Sequence, residues 1–189
     1  MGRPGVVGIR SGISGNSQFS LENFNAENIA RVLANEVHAY SSDANWMEPN
    51  DKFAEYVNYR KEKDPNGYLD IVAHGTKYTI IYYHNGVEYT LKAKHVAKMI
   101  KNMKSFKGNG VRLLSCNTGG DPRGFAQNLA NKLGVPVLAP NNLLWTYSDK
   151  TGRLDVAPRK SNIVGDKDFK RPNLTQQGSF ITFYPKGRR

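Results

Sequence analysis

The spacing of apolar residues predicts helices in several parts of the chain. Apolar side chains recur at helical intervals between Asn25 and His38, which predicts a helix over that range. Further helices are predicted over Pro49–Tyr59, over residues 93–103 and over Gly124–Leu133. Gly134 follows the last of these, and a glycine in that place is typical of a left-handed helix end.

Short apolar runs between the helices predict strands. One run ends at His74, a second ends at Cys116, and a third covers Val135–Ala139. Asn85-Gly86 lies between two β-rich runs and predicts a β-hairpin directly after the His74 strand. Other short strands are predicted at Val6–Ile9, Leu143–Tyr147, Arg153–Val156 and Phe180–Tyr184.

Strands that alternate with helices predict an α/β fold. We expect a single domain over residues 1–189, with a layered, mostly parallel sheet flanked by helices and a β-rich C-terminal part. The Gly- and Ser-rich segment over about residues 1–20 is expected to contain a flexible loop.

Two predicted strands end in residues of catalytic type. His74 is followed by Gly75, and Cys116, the only cysteine, is followed by a segment that cannot continue a strand. The carboxyl ends of parallel strands line the crevice where α/β proteins bind substrates. A thiol becomes a good nucleophile when an imidazole can take its proton, so the pair predicts a His-Cys dyad with an accessible thiol. The alternative is that Cys116 packs in the core, as free cysteines commonly do.

The same residues carry a resemblance to a known family. His74-Gly75 after one apolar strand and Ser115-Cys116 after a second resemble the caspase-like (clan CD) cysteine peptidases, which include caspases, gingipains and clostripain. The segments Leu113–Gly119, Phe125–Ala130 and Leu133–Pro140 are most similar to the protease domains of bacterial toxins and effectors. The resemblance covers about residues 66 to 145 and implies a caspase-like layered sheet and a cysteine endopeptidase activity.

The resemblance also implies roles for individual residues. In the family the oxyanion is held by two backbone amides, which here would be those of Gly75 and Cys116. Asp43 matches the acidic residue upstream of the histidine in the toxin proteases and is the candidate third member of the site. Asp121 and Trp145 are candidates for the substrate cleft, where Asp121 could attract a basic side chain and Trp145 could line an apolar pocket.

Partners and location follow from the resemblance in the same way. The substrate is expected to be a protein or peptide, and a cognate inhibitor or immunity protein is an expected partner. The domain is expected to be secreted or delivered into a target cell and to act in a reducing cytosol. No cofactor is required, but the similar toxin proteases are switched on by an inositol polyphosphate.

The charge of the chain favours an anionic partner. Lys and Arg number 27 against 16 Asp and Glu, which gives a formal net charge of +11. The lysines between Lys92 and Lys107 are expected to form the solvated face of a helix. A polyanion such as inositol hexakisphosphate is expected on a late basic loop, at Arg159, Lys160, Lys167, Lys170 and Arg171. The alternative anion site is on the helix, at Lys98, Lys101 and Lys104.

A second class of function stays open beside the peptidase. The chain could be a basic nucleic-acid-binding or nuclease toxin domain in which Cys116 is structural. A nuclease is expected to present acidic or histidine metal ligands, and the sequence shows no such cluster, so no metal site is predicted. No apolar run approaches the roughly 20 residues that span a bilayer, and one cysteine excludes an internal disulfide.

Overall fold

A five-stranded sheet forms the centre of the protein. It is described by a computed structural model that covers residues 44–60, 64 and 66–187. The described elements in chain order are β1 (Ala44–Asn45), α1 (Lys52–Val57), β2 (Leu69–Val72), β3 (Ile80–His84), β4 (Val87–Leu91), α2 (Ala93–Lys101), β5 (Val111–Leu114), α3 (Phe125–Leu133), β6 (Val137–Pro140), β7 (Leu144–Thr146), β8 (Leu154–Val156) and β9 (Phe180–Phe183).

The strands of this sheet are mostly parallel. Their order is β1–β2–β5–β6–β9, in which the first four are parallel and β9 is antiparallel to β6. The β3–β4 and β7–β8 pairs form two separate antiparallel hairpins. The prediction of an α/β domain with a mostly parallel sheet flanked by helices is therefore confirmed, and so is the hairpin after the His74 strand.

Both faces of the sheet carry apolar side chains. Successive residues of a strand point to opposite sides of the sheet, so an apolar strand contributes to both faces. Ile71 and Leu113 pack on one face with buried side chains of α2 and α3. Val72 and Leu114 pack on the other face with buried side chains of α1 and β7. We call this second side of the sheet the α1 face. It carries the residues discussed below.

Local backbone geometry explains two of the predicted turns. Asn85 and Gly86 join β3 to β4 with φ angles of 49° and 82°, as expected for a tight hairpin turn that needs two left-handed residues. Gly134 ends α3 with φ 78°, and its amide donates to the Ala130 carbonyl.

The other predictions differ from the structure in extent or fall outside it. The helix predicted over Pro49–Tyr59 begins only at Lys52, because Asp51 is extended and acts as its N-cap. The lysines of α2 and of the turn after it are exposed, as predicted. The predicted strand Val6–Ile9, the loop over residues 1–20 and the helix Asn25–His38 lie outside the described residues. Within the described ranges, no helix has the length and apolar character needed to cross a membrane.

A buried ion cluster ties the C-terminal end of α1 to the sheet. Arg60 follows α1, and its Nη2 donates to Oδ2 of Asp70 in β2 at 2.9 Å. Arg112 of β5 donates from Nε to the other Asp70 oxygen at 2.6 Å, and its Nη1 lies 3.8 Å from Oδ2 of Asp64. The side chain of Asp70 is only 1% exposed. A buried carboxylate is tolerated here because two guanidinium groups compensate its charge.

Asp70→Asn is expected to lower the free energy of unfolding by about 3–5 kcal/mol, because it leaves two largely buried guanidinium groups undercompensated. Urea denaturation followed by circular dichroism measures the change. The control is Glu88→Gln, at an exposed carboxylate of β4, which should stay within about 0.5 kcal/mol of the wild type. Equal losses in the two variants would contradict a compensated buried charge.

Candidate functional site

The pairing of β2 with β5 brings His74 and Cys116 to the same edge of the sheet. Val72 lies opposite Leu114 in the parallel register, and the Ala73 amide donates to the Leu114 carbonyl at 3.3 Å. His74 and Cys116 each stand two positions beyond this pair. Their side chains therefore lie on the α1 face, like those of Val72 and Leu114. The two residues therefore follow neighbouring parallel strands, and their pairing as a dyad stays a prediction.

Asp51 is the carboxylate that contacts the histidine. His74 Nε2 lies 3.1 Å from Asp51 Oδ2, and the other carboxylate oxygen accepts from the Phe53 amide at 2.7 Å. The two side chains are 20% and 14% exposed. Because the carboxylate accepts at Nε2, the neutral imidazole keeps its proton there and presents Nδ1 as the basic nitrogen.

The sequence patterns did not point to Asp51, and Asp43 was the candidate for the third residue of the site. Asp43 lies outside the described residues. The signal that could have found Asp51 is its preference for helix N-caps: it stands directly before the apolar residues of α1. A helix that begins at Pro49, as predicted, would contain Asp51, so the N-cap preference of Asp51 was not used.

The electrostatics of the pair keep Asp51 ionised. Partial burial alone would raise the pKa of Asp51, but the hydrogen bond and charge of His74, together with the Phe53 and Ala54 amides, outweigh it. The pKa of Asp51 is therefore lowered from its ordinary value. At neutral pH the carboxylate is a permanent acceptor for the imidazole and a countercharge for the imidazolium.

Cys116 is a free thiol that is buried in this conformation. It is 7% exposed and packs in the cluster on the α1 face. The Leu144 amide of β7 donates to Sγ at 3.3 Å, and Sγ faces the carbonyl of the same residue at 3.7 Å. The prediction of an accessible thiol is thus wrong for this conformation, because the backbone of β7 covers the sulfur.

Burial also changes the ionisation of the thiol. Desolvation raises the pKa of Cys116, although the Leu144 amide, the charge of Arg159 and the residue's own amide act in the opposite direction. The resting group is therefore a neutral thiol near pH 7. Its activation requires a base that accepts the proton as the sulfur reacts.

Gly75 lies against the chain that carries Cys116. A Cβ at this position would overlap Ser115 Oγ and stand 3.1 Å from the Cys116 carbonyl oxygen. The hairpin hydrogen bonds pass on either side of Gly75, from Thr76 to Thr79 and from Ile81 to His74. The Gly75 amide is therefore not used in that pairing, and a side chain at this position would separate the two strand ends.

The range that matches a known family contains these groups. Residues 42–156, more than half of the chain, match a family described as a domain of unknown function, DUF8616. The chain belongs to the DUF8616 family. No curated protein and no solved structure matches it. The DUF8616 match includes Asp51, His74 and Cys116 and ends before Arg159.

The two residues predicted for a substrate cleft differ in their surroundings. Asp121 lies near the surface of the DUF8616 domain, where its carboxylate accepts from the Tyr78 hydroxyl at 3.0 Å and from the Arg123 amide at 2.8 Å. Trp145 is 1% exposed, and its Nε1 donates to the Ala157 carbonyl at 2.8 Å. In this conformation Trp145 is a core residue and does not line a cleft.

The late basic loop lies beyond the DUF8616 match, and its charges are partly paired. Asp168 contacts Lys160 at 3.4 Å and Arg171 at 3.2 Å. Lys167 and Lys170 are exposed, and Arg159 is held against Phe169. The five predicted anion-binding residues therefore share one loop, but two of them, Lys160 and Arg171, already pair with Asp168. Among the residues that the structure describes, no three His, Cys, Asp or Glu side chains are grouped to hold a metal ion.

Native Cys116 is expected to react with iodoacetamide much more slowly than a small unperturbed thiol at pH 7.5, because β7 covers the sulfur and burial raises the pKa of the thiol. Mass spectrometry of timed samples measures the rate. The urea-unfolded protein is the control and should react like a free thiol. Equal rates in the native and unfolded protein would show that Sγ is open to solvent.

Proposed function

We propose that this protein is a cysteine endopeptidase of caspase-like architecture, in which Cys116 is the nucleophile and His74 is the general base and acid. The observation that carries the proposal is the Asp51–His74 hydrogen bond at the end of β2, the strand that pairs with the one leading to Cys116. A half-buried carboxylate that fixes the tautomer of a histidine, with a thiol at the end of the neighbouring strand, supplies the groups that nucleophilic catalysis requires.

The first half of the reaction forms an acyl-enzyme. Nδ1 of His74 accepts the Sγ proton as the sulfur forms a bond with the scissile carbonyl carbon. The resulting imidazolium is stabilised by the Asp51 carboxylate at Nε2, and it gives its proton to the leaving amine as the C–N bond breaks. The thioester and the new amino terminus are the products of this step.

The second half regenerates the thiol. His74 removes a proton from a water molecule that attacks the thioester carbonyl, and the imidazolium then returns this proton to the departing sulfur. In both halves the carbonyl oxygen becomes negative, and the amides of Gly75 and Cys116 are the proposed donors to it. The close approach of Gly75 to the Cys116 segment supports this role.

The buried sulfur sets one requirement on substrate binding. Leu144 contacts Sγ through both its amide and its carbonyl, so a scissile peptide can reach the sulfur only after this backbone moves away. We propose that the substrate displaces Leu144 and takes up the surface that it leaves. A delivered toxin or effector domain that works in a reducing cytosol fits a chain whose one cysteine is free.

Cys116→Ala and His74→Ala are each expected to lower kcat/KM for peptide cleavage by at least about a thousandfold. Removal of any one member of a catalytic unit abolishes most of the rate enhancement that the unit provides. Cleavage sites in a mixed peptide library are read by mass spectrometry, and circular dichroism checks the fold. Ser148→Ala, at a half-buried position outside the site, is the control. Full cleavage by Cys116→Ala contradicts the proposal. Nucleic-acid degradation that survives in that variant favours the nuclease alternative.

Asp51→Asn is expected to lower kcat by about two to four orders of magnitude with little change in KM, because Asp51 orients His74 and does not touch the substrate. Asparagine is as good an N-cap as aspartate, so α1 should stay folded and the urea midpoint should change little. Asp51→Ser, which also caps but cannot reach the imidazole, is expected to show the same loss in kcat. Unchanged kcat in both variants would contradict the role of Asp51.

A further inference from the structure

The late basic loop follows β8 and has two paired arms. The arms run antiparallel and form a bridge between Arg159 and Pro172. The Lys160 amide donates to the Arg171 carbonyl at 2.9 Å, which is the last hydrogen bond between the arms. Residues 161–170 lie beyond it and form the tip of the loop. The tip is therefore held at its base by backbone pairing.

Two aliphatic side chains are exposed at this tip. Ile163 is 70% exposed and Val164 is 80% exposed, the highest values among the large apolar side chains that the structure describes. Single apolar residues are common on protein surfaces, but two adjacent aliphatic side chains with this exposure gain little from burial in their own chain. Such a pair is expected to be covered when the protein binds its partner.

The backbone of the tip fixes the position of these two residues. The Asp166 amide donates to the Ile163 carbonyl at 3.1 Å, which closes a tight turn through Val164 and Gly165. The φ of Gly165 is 93°, a left-handed value that glycine adopts readily. The Ser161 hydroxyl donates to Asp166 Oδ2 at 3.1 Å and accepts from the Ile163 amide at 3.2 Å. The apolar pair is thus presented by a turn that its own hydrogen bonds close.

The residues around the apolar pair in the loop are basic. Residues 158–173 contain five Arg and Lys against two Asp, which gives a net charge of +3. Asp168 pairs with two of the exposed cations, Lys160 and Arg171. Lys167 and Lys170 are also exposed and form no ion pair with a described residue. The loop therefore combines an apolar tip with positive charge that an anionic surface can neutralise.

We propose that the late basic loop binds the surface of a membrane that contains anionic phospholipids. Ile163 and Val164 insert at the boundary between headgroups and acyl chains, and the lysines lie near the lipid phosphates. This inference goes beyond the proposed peptidase activity and does not depend on it. Stable attachment to a membrane surface takes two signals, such as an apolar anchor and a basic patch. The loop carries both.

A nucleic acid or a soluble polyanion accounts for less of the loop. Either could bind the basic side chains, but an aliphatic pair offers no aromatic face to a base and no hydrogen-bond donor to a phosphate. Phe169 is the one aromatic residue in residues 158–173, and the Arg159 guanidinium lies over its ring at 4.1 Å. A lipid surface complements both the charge and the apolar side chains.

Co-sedimentation of the full chain with lipid vesicles tests the proposal. In near-physiological salt, the wild type is expected to bind vesicles of phosphatidylcholine and phosphatidylserine at least about tenfold more strongly than vesicles of phosphatidylcholine alone. The double variant Lys167→Gln, Lys170→Gln should lower binding to the mixed vesicles at least about tenfold, because each lysine near an anionic surface contributes about fivefold. Ile163→Ser combined with Val164→Ser should lower it by a similar factor, through the loss of apolar insertion.

Matched controls remove the same kinds of side chain elsewhere. Tyr184→Ser removes an apolar side chain that is 66% exposed after β9. The double variant Lys98→Gln, Lys101→Gln removes two exposed lysines from α2. Both controls should bind the mixed vesicles nearly as well as the wild type. Thermal unfolding checks that each variant is folded.

Val164→Trp reports insertion directly. The natural Trp46 and Trp145 are each 1% exposed, so their emission should not respond to vesicles. The emission of the new indole should shift to shorter wavelength with the mixed vesicles and stay unchanged with phosphatidylcholine alone, because the indole leaves water for the membrane interface. Tyr184→Trp is the matched control and should show no shift.

Several outcomes overturn the inference. They are equal binding to both kinds of vesicle, binding to neither, and binding that persists without the apolar side chains of Ile163 and Val164. Loss of vesicle binding in the α2 variant overturns it too. If inositol hexakisphosphate raises the melting temperature through Lys167 and Lys170 while vesicles do not bind, the loop is a site for a soluble polyanion. Each of these results leaves the proposed peptidase activity untouched, since vesicle binding should be the same in Cys116→Ala.

Discussion

The parallel register between β2 and β5 is the constraint on which the site depends. With Val72 opposite Leu114, the residues two positions further on each strand reach the same edge and the same face. A shift of one residue would turn His74 to the opposite face from Cys116, because side chains alternate along a strand. The same register sets Asp70 opposite Arg112, so a buried ion pair near the other end of the strands depends on it as well.

Each end of α1 is connected to the β2 segment through a carboxylate. Asp51 reaches His74 from the N-cap, and Asp70 binds Arg60 just after the helix. A six-residue helix has little stability of its own in water, so it depends on these contacts and on its buried apolar side chains. The structural ion cluster and the candidate site are therefore coupled through one short helix, and a loss at Asp70 is expected to disturb the position of Asp51.

Local patterns in the sequence predict much of this fold. Apolar runs that end at His74 and Cys116 identify the two central strands, and Asn85-Gly86 identifies the hairpin, because these features depend on neighbouring residues only. Asp51 lies 23 residues from His74, and its contact depends on how α1 packs against the sheet. The burial of Cys116 depends on β7, which is 28 residues away. Such long-range contacts leave no periodic signal in one sequence.

The burial of the thiol and the charges around it act on different stages of a reaction. A thiol that β7 covers is poorly ionised, which limits its reaction with small electrophiles before a substrate is bound. Asp51 is ionised throughout, so the imidazole has a countercharge at the moment when it accepts the sulfur's proton. The sulfur is thus expected to ionise only once the backbone that covers it has moved and the imidazole can take its proton.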